Sequence, residues 1–354
     1  PPCRHGWLMR SSGTSGTRCV ADDFLQLSRE DQVGIIQGSV PTLGLVSTVL
    51  EKDVWVCWTL ACLFEMPDRL SMAFKGGTSL SKAFDVIQRF SEDVDITIDY
   101  REFGLGFDPF AAGLRKTQLK NFGRDLTTRL SRYIHDVVAP YFRKVLADQF
   151  PGKDCRIEID DKNGKLRLYY PSVLEEPPGY VGNSVLIEFG GRNIVEPNEP
   201  HTIQPYLAQV VPAVNFPVAN AVVLSPVRTF WEMAWLIHVE CNRKTPKADS
   251  DRMSRHWHDL AILADHDIGR RALTDRALLV DVVKHKKVFF SSSYANYDAC
   301  LSGGLRLVPD AAMLEKLRSD FEQMRAAGMF YGEPPLSFDR IIESLQSLET
   351  RING

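Results

Sequence analysis

The chain has 354 residues, of which 44% are hydrophobic, and a formal net charge of -3, so it should be globular, with room for two domains of roughly 100–200 residues each. The charge excludes a global cationic field, and any nucleic-acid binding would need a local basic patch. The seven cysteines are scattered, odd in number and without a C-x-x-C pair, which disfavours a disulfide framework or a thiolate zinc site and predicts a reducing cytoplasm.

The N-terminal residues are predicted to lie outside the fold. Residues 1–20 lack an initiator Met and contain a Ser/Gly/Thr run, which is typical of a tail that is disordered or foreign to the native chain. No run in the sequence approaches the ~18 consecutive apolar residues of a spanning helix, and no signal peptide is evident. We therefore expect no membrane partner.

The first predicted elements lead to a glycine pair. Apolar residues recur at helical spacing from Leu43 to Met66, which predicts a buried helix. The segment RLSMAF predicts a short strand that ends at KGGTS, where the Thr or the Ser can cap a helix that runs to about Arg89. The next strand, DVDITI, alternates, so that Asp93, Asp95 and Thr97 share one face.

The middle of the chain predicts further α and β elements. A long amphipathic helix is predicted from Arg115 to Leu146, and Asn163-Gly164 between two alternating runs is typical of a β-hairpin. The segment SVLIEFGG predicts another strand that ends in a glycine pair. These pieces indicate an α+β domain over residues 21–222.

The remainder, residues 223–354, is predicted to be a helical bundle packed on the first domain. The polar stretch 242–254 between the first two helices predicts a mobile loop. The predicted helices are Pro226–Cys241, Arg255–Ala264, Asp275–Phe290, Asp310–Ala327 and Phe338–Leu348.

The glycine pair and the D-x-D strand suit one kind of chemistry. Two carboxylates on one strand face can share divalent cations, and their hard oxygens suit Mg²⁺. A glycine pair at a strand-to-helix turn offers unhindered backbone N–H groups and the positive end of a helix dipole to phosphates. In phosphoryl transfer, metal ions bridge the triphosphate while the protein positions the reacting groups. The stretch from Ala73 to Ile98 thus predicts a triphosphate cradle followed by metal ligands.

These residues also carry a family resemblance. The G-G-[ST] turn, a helix and D-x-D resemble nucleotidyltransferases built like DNA polymerase β. More narrowly, FKGGTSLSKAF, RFSEDVDI, EKDVWV, VLIEFGGR, TFWEMAWLIH, SRHWHDL and HKKVFF resemble the AbiEii/AbiGii family, which are toxins of toxin–antitoxin and abortive-infection systems. The resemblance runs from about Val49 to the end. It implies a polymerase β-like domain with a mixed sheet, followed by a helical domain.

The resemblance also implies roles for particular residues. It assigns an NTP and Mg²⁺ or Mn²⁺, with the metals on Asp93, Asp95 and, as third carboxylate on a neighbouring strand, Glu188. The helical part is expected to complete the catalytic site with Asp259. The residues expected to bind the nucleotide are Lys75, Gly76, Gly77, Thr78, Ser79, Arg228 and Arg255.

One departure from the family pattern concerns phosphate binding. Family members usually carry a lysine after TFWE, where this chain has Met233. A thioether cannot donate to a phosphate, so we expect a cation from elsewhere, such as Arg228, or a weakened activity.

Several assignments have structural alternatives. Glu188 could instead pair with Arg192 or Arg167, and Arg255 with Asp259 could form an ordinary i, i+4 helix pair. Lys75 and Lys82 could contact phosphates or be solvated side chains. Lys284, Lys286 and Lys287 could bind an RNA backbone or form a solvated helix face. Lys52 with Asp53 could be a structural ion pair or a substrate contact.

The resemblance implies one function, and two alternatives stay open beside it. The first is a Mg²⁺-dependent toxin that transfers a nucleotidyl group from an NTP to RNA, at the end of a tRNA, and is neutralised by a cognate antitoxin. The second is a catalytically weakened scaffold that binds a nucleotide or a partner, which the altered TFWEM motif favours. The third is a nucleotidyltransferase that modifies a small molecule such as an antibiotic.

Overall fold

A computed structural model describes residues 23–160, 163–175, 182–243, 252–332 and 335–354. The predicted tail, residues 1–20, and positions 244–251 of the predicted mobile loop lie outside the described residues. Within the described residues no single helix is long and apolar enough to span a membrane. The first two helices meet that test only as a pair, bent by 107°.

A seven-stranded mixed sheet forms the centre of the first part, with strand order β3-β4-β5-β2-β1-β7-β6. β2 pairs antiparallel with β1 and parallel with β5. The strands are β1 (Met72–Lys75), β2 (Asp93–Asp99), β3 (Arg156–Asp160), β4 (Lys165–Tyr169), β5 (Ser184–Asn193), β6 (Asn198–Ile203) and β7 (Ala219–Leu224).

The expected fold class is confirmed, since helices surround this sheet and then fill the C-terminal part. The predicted helix Arg115–Leu146 is a continuous helical run that contains one π-helical turn at Ile134–Val138. The α-helices are α1 (Arg29–Leu43), α2 (Ser47–Glu65), α3 (Gly76–Lys82), α4 (Lys116–Tyr133), α5 (Ala139–Gln149), α6 (Pro226–Cys241), α7 (Ser254–Asp265), α8 (Asp267–Thr274), α9 (Arg276–Phe289), α10 (Ala311–Ala326) and α11 (Phe338–Asn353).

The alternation of β2 determines which side chains reach the site. Val94, Ile96 and Ile98 are fully buried, whereas Asp93 and Asp95 are only partly buried. The buried helix α2 packs on β2, β5 and β7. On the C-terminal side, α9 contacts β5 and α4, and α6 packs on α7, α8 and α9. The helical part therefore meets the sheet beside β5.

The structure corrects several predicted boundaries. The helix expected to reach Arg89 ends at Lys82, and Asp85 beyond it has a positive φ of 51°, which an α-helix does not allow. The chain then pairs with the C-terminal part, because Phe90 N–H donates to the Met329 carbonyl at 2.7 Å. α1, α8, β6 and β7 were not predicted. Residues 222 and 223 both belong to β7, and the division into two domains stays a prediction.

Candidate active site

The glycine turn packs directly against the D-x-D strand. Gly76 has a φ of +80°, and a Cβ placed there would lie 2.3 Å from Oδ2 of Asp95. A Cβ on Gly77 would lie 2.3 Å from Nη2 of Arg89. Only glycine permits both the left-handed backbone at the first position and the close approach at both. The two predicted parts of the site are thus in contact.

The Thr78 and Ser79 side chains hold this turn together. Both residues are fully buried. The Thr78 hydroxyl donates to the Asp93 carbonyl at 2.5 Å, and the Ser79 hydroxyl donates to the Gly76 carbonyl at 2.8 Å. Their hydroxyls therefore bind the protein itself in this structure, which leaves the predicted nucleotide contact of this segment to its backbone.

Charged side chains form a row across the sheet. Lys75 on β1 lies opposite Asp95 on β2, which lies opposite Glu188 on β5, which in turn lies opposite Lys165 on β4. Residues in register point to the same face and lie about 4.5–5.5 Å apart at Cβ. Lys165 Nζ contacts Oε1 of Glu188 at 2.5 Å, so this lysine, and neither Arg192 nor Arg167, is the ion-pair partner of Glu188.

The two aspartates of β2 have different surroundings. Burial raises the pKa of Asp95 to about 6, an effect that Lys75 opposes and the neighbouring Glu188 and Asp93 carboxylates reinforce. Asp93 accepts a hydrogen bond from Arg255 Nη1 at 3.3 Å. A buried carboxylate beside two others is a place where an added cation would be stabilised.

A divalent metal fits this donor set only together with substrate oxygens. Among the described residues, no group of three His, Cys, Asp or Glu side chains is arranged to hold a metal ion. Mg²⁺, however, is usually held by one or two carboxylates plus substrate phosphates and water. Asp93 and Asp95 would supply that pair of carboxylates, and the metal roles of Asp93, Asp95 and Glu188 all stay predictions.

Asp259 lies beside the glycine turn in a buried ion pair. Arg89 donates to it through Nε at 2.7 Å and Nη2 at 2.5 Å, and His258 contacts the same carboxylate at 3.1 Å. Burial opposes ionisation, but Arg89 holds the pKa of Asp259 below its usual range. Asp259 and Arg255 therefore do not form the simple i, i+4 pair, because each binds a residue of the first part.

A cavity of about 250 Å³ lies between the sheet and the helical part, and its lining includes Asp95 and Asp259 but neither Asp93 nor Glu188. Its lining includes four cations (Lys75, Arg89, Arg255 and Lys286), three carboxylates (Asp95, Glu232 and Asp259) and both glycines. A cavity with more cations than carboxylates and exposed backbone at a glycine turn suits an anionic, phosphate-bearing ligand.

Comparison with known proteins identifies the family. The sequence profile of the family described as "Nucleotidyl transferase AbiEii toxin, Type IV TA system" matches residues 58–344. The chain belongs to this family. It is accordingly an NTP-using nucleotidyltransferase toxin of a type IV toxin–antitoxin system, which implies a cognate antitoxin.

Other comparisons are more distant. No curated protein sequence matches the chain. Among solved structures it is similar to MenT4, a nucleotidyltransferase toxin from Mycobacterium tuberculosis H37Rv, at 15% identity and a TM-score of 0.43, over 92% of this chain and 98% of that one. That similarity is too low to support an inference about this chain.

The altered TFWEM motif of this AbiEii-family toxin faces the cavity. Met233 lines it, and so does the preceding residue, Glu232. Lys286 Nζ lies 3.3 Å from Oε1 of Glu232, and Lys75 Nζ lies 3.8 Å from its other oxygen. Burial lowers the pKa of Lys286 to about 8, which Glu232 opposes. Burial would raise the pKa of Glu232, but Lys286, Lys75 and Arg228 hold it below its usual range.

Arg228 does not face the cavity as its predicted role requires. It is almost completely buried, and Nη1 binds Asp281 at 2.9 Å while Nε lies 3.4 Å from Glu232. Lys286 lies at the cavity instead. Of the two interpretations of Lys284, Lys286 and Lys287, the solvated face is therefore wrong for Lys286, which is buried, and the RNA grip stays a prediction. By contrast, Lys287 is about half exposed and pairs with Asp298.

The remaining predicted lysines have structural partners. Lys82 binds the buried Asp53 at 2.8 Å and lies 3.6 Å from the centre of the Tyr206 ring. Lys52 binds Glu92 at 2.5 Å. Both belong to buried ion pairs, and Lys52 and Asp53 pair with other residues rather than with each other. Their placement supports the structural interpretation.

Four titratable residues that line the cavity were not predicted as part of the site: Arg89, Glu232, His256 and Lys286. Burial, together with the nearby Arg255, lowers the pKa of His256 to about 3, so this imidazole is neutral. Neither Arg89 nor Glu232 follows a periodic pattern. The sequence could have indicated their place in the site only because Arg89 is close to the D-x-D motif and Glu232 precedes Met233.

Proposed function

We propose that this cavity transfers a nucleotidyl group from an NTP with the aid of Mg²⁺ or Mn²⁺. The observation that carries the proposal is the contact between the Gly76 turn and Asp95, which brings a backbone cradle for phosphates against the predicted metal carboxylates. Structural metal sites do not need such a cradle, whereas phosphoryl transfer needs both parts together.

The residues of the chain have separate roles in this proposal. Asp93 and Asp95 would hold the metal, which when bound neutralises phosphate charge and polarises the bond to the α-phosphorus. The backbone at Gly76 and Gly77 would bind the triphosphate. Lys75, Lys286 and Arg255 line the cavity and would offset the remaining phosphate charge. Asp259 would act by holding Arg89 beside the turn rather than by binding metal.

Lys286 favours an enzyme over an inactive scaffold. The lysine expected after TFWE is absent, but the cavity wall at Met233 still carries a cation, because Lys286 reaches Glu232 from α9. Lys75 and Lys286 both lie near the carboxylate of Glu232. Two cations therefore face one carboxylate, and one positive charge remains for a ligand. The sequence departure therefore does not remove the charge that transfer needs.

Substitution of the D-x-D carboxylates tests the proposal. Asp93→Asn and Asp95→Asn keep side-chain shape and remove the metal ligand charge, so each should lower transfer by at least about a hundred-fold. Asp99→Asn is the matched control, since Asp99 lies on the same strand but binds Arg101 at 2.5 Å. Transfer is measured with purified protein, each labelled NTP and Mg²⁺. Full activity in either site variant would overturn the assignment.

The acceptor we propose is RNA, at the end of a tRNA, in the cytoplasm, where NTPs and tRNA meet. An acceptor that is itself a nucleotide chain suits a cavity whose lining has four cations and three carboxylates. Total cellular RNA, a small-molecule extract and total protein are each incubated with labelled NTP and separated. Label in a tRNA-sized band supports the proposal, and label confined to small molecules or protein would overturn it.

A further inference from the structure

Two arginines join the start of α7 to the start of β2. Arg252 Nη1 binds Oε1 of Glu92, and Arg255 Nη1 donates to Oδ2 of Asp93 at 3.3 Å. The two carboxylates are adjacent in the chain, Asp93 being the first residue of β2, and Arg255 lies in the first turn of α7. None of the roles proposed above involves Arg252 or Glu92, although their contact directly adjoins a predicted metal ligand.

The two contacts differ in their access to a ligand. The Glu92 side chain is 8% exposed and binds a second cation, Lys52 from α2, at 2.5 Å. Neither Glu92 nor Arg252 lines the cavity of about 250 Å³, whereas Arg255 does. The single contact of Arg255 with Asp93 is also longer than the about 2.7–2.9 Å that is usual between a charged donor and a carboxylate. The Glu92 contact is therefore shielded from a ligand in this cavity, and the Asp93 contact can be exchanged for one.

The backbone of Arg252 is held in an uncommon conformation. Its φ of +63° lies in the left-handed region, which residues other than Gly, Asn and Asp seldom adopt. The Arg252 and Ser254 N–H groups donate to the two carboxylate oxygens of Asp320 on α10, at 2.8 and 2.7 Å. Asp320 thus caps α7, since Met253 at the N-cap position makes no side-chain hydrogen bond there. Backbone strain of this kind concentrates at functional sites, and it supports a role for the Arg252 side chain.

We propose that Arg252 and Glu92 are positioning residues, which hold the start of α7 in place while Arg255 exchanges Asp93 for the triphosphate. The proposal rests on the proposed function, because that function requires Asp93 to be free of Arg255 and requires Arg255 to bind phosphate. Without the contact between Arg252 and Glu92, Arg255 would be the remaining arginine that holds this turn to residues 92–93. Its exchange would then let the turn move, and Arg255 would no longer be presented to the phosphate.

Non-additive effects on NTP binding test the proposal. Arg255→Gln is made in the native protein, in Arg252→Gln and in Arg243→Gln, and binding of each NTP with Mg²⁺ is measured by calorimetry without acceptor, so that no transfer is needed. Arg243→Gln is the matched control, because Arg243 pairs with Glu240 at 2.7 Å and lies outside the lining of the cavity. Thermal unfolding verifies that each variant folds. If Arg252→Gln does not fold, Asp320→Asn takes its place, since it removes the carboxylate that fixes the same turn.

Arg255→Gln should weaken binding of at least one NTP about ten-fold in the native protein and in Arg243→Gln, because a cation that binds phosphate is lost. In Arg252→Gln the same change should weaken binding less than about two-fold, because the turn no longer presents Arg255. Arg252→Lys keeps the charge and should retain the ten-fold effect. Equal losses in every background would show that Arg252 only stabilises the fold, and would overturn this proposal alone. A native protein that binds no NTP would overturn it together with the proposed function.

Discussion

Asp95→Asn should make the free protein more stable while it abolishes transfer. The folded protein raises the pKa of Asp95 from its ordinary 3.8 to about 6, so its charged form destabilises the fold above that pH. A difference of about two units corresponds to a ceiling of about 3 kcal/mol in the free energy of unfolding. Partial exposure of the side chain lowers this, and we expect about 1–2 kcal/mol.

The pH dependence has a defined sign. Above pH 6 the native carboxylate is charged and the full penalty is present. As pH falls from 6 towards 3.8 the folded protein takes up the proton first, so the native protein gains stability relative to the variant. The advantage of Asp95→Asn should therefore be largest at pH 7–8 and vanish near pH 4.

Thermal unfolding at pH 8, 7, 6 and 5, without metal or nucleotide, measures this difference. Asp99→Asn is the control with the opposite sign, because that carboxylate is buried against Arg101 and its loss should lower the unfolding temperature. If Asp95→Asn unfolds at a lower temperature than the native protein at pH 8, the charged Asp95 carboxylate does not destabilise the fold of the free protein. The physical argument for the site would then fail.

Further predictions concern the residues around the turn. Lys286→Gln should raise the KM for NTP by about ten-fold or more, because a cation that binds phosphate is lost. The KM of the native protein should also rise above pH 8, where Lys286 loses its proton, whereas the KM of Lys286→Arg should not. A KM that does not change with pH in either protein would contradict this role. Gly76→Ala should destabilise the fold and stop transfer. Gly104 has a φ of +60° and open space around it, so Gly104→Ala should lower the free energy of unfolding only by the backbone strain of about 1 kcal/mol. If both variants lose the same stability, the contact of Gly76 with Asp95 is unimportant. Asp259→Asn should lower stability by about 3–5 kcal/mol by leaving Arg89 without its buried partner, and a variant with native stability but no transfer would instead make Asp259 a direct catalytic group.

The sequence predicted best those parts of the site that depend on residues next to each other in the chain. The glycine pair, the D-x-D alternation and the hairpin at Asn163-Gly164 each follow from neighbouring residues, and the structure has the turn and strand where they were predicted. The family resemblance, rather than local order, placed Glu188 on a neighbouring strand, and the structure has it opposite Asp95. Helices α6 and α9–α11 were predicted to within a few residues because their apolar spacing is regular.

The missed features depend on contacts between distant parts of the chain. Arg89 was placed at the end of a helix, but the helix stops at Lys82 and Arg89 instead binds Asp259, 170 positions away. Lys286 was interpreted either as part of an RNA grip or as part of a solvated face, whereas its contact with Glu232 places it at the cavity. Edge strand β6 was missed because its sequence, NEPHTI, is polar and contains proline, both of which are tolerated at a sheet edge. Periodicity contains no information on such long-range pairs.

Transfer of label from the α-phosphate tests the central claim most directly. The protein is incubated with Mg²⁺, total RNA and an NTP labelled at either the α- or the γ-phosphate, beside Asp93→Asn and Asp99→Asn. A nucleotidyltransferase at the Gly76–Asp95 contact should label RNA only from the α position, with native protein and Asp99→Asn but not with Asp93→Asn. Label from the γ position, or equal labelling by Asp93→Asn, would contradict the account.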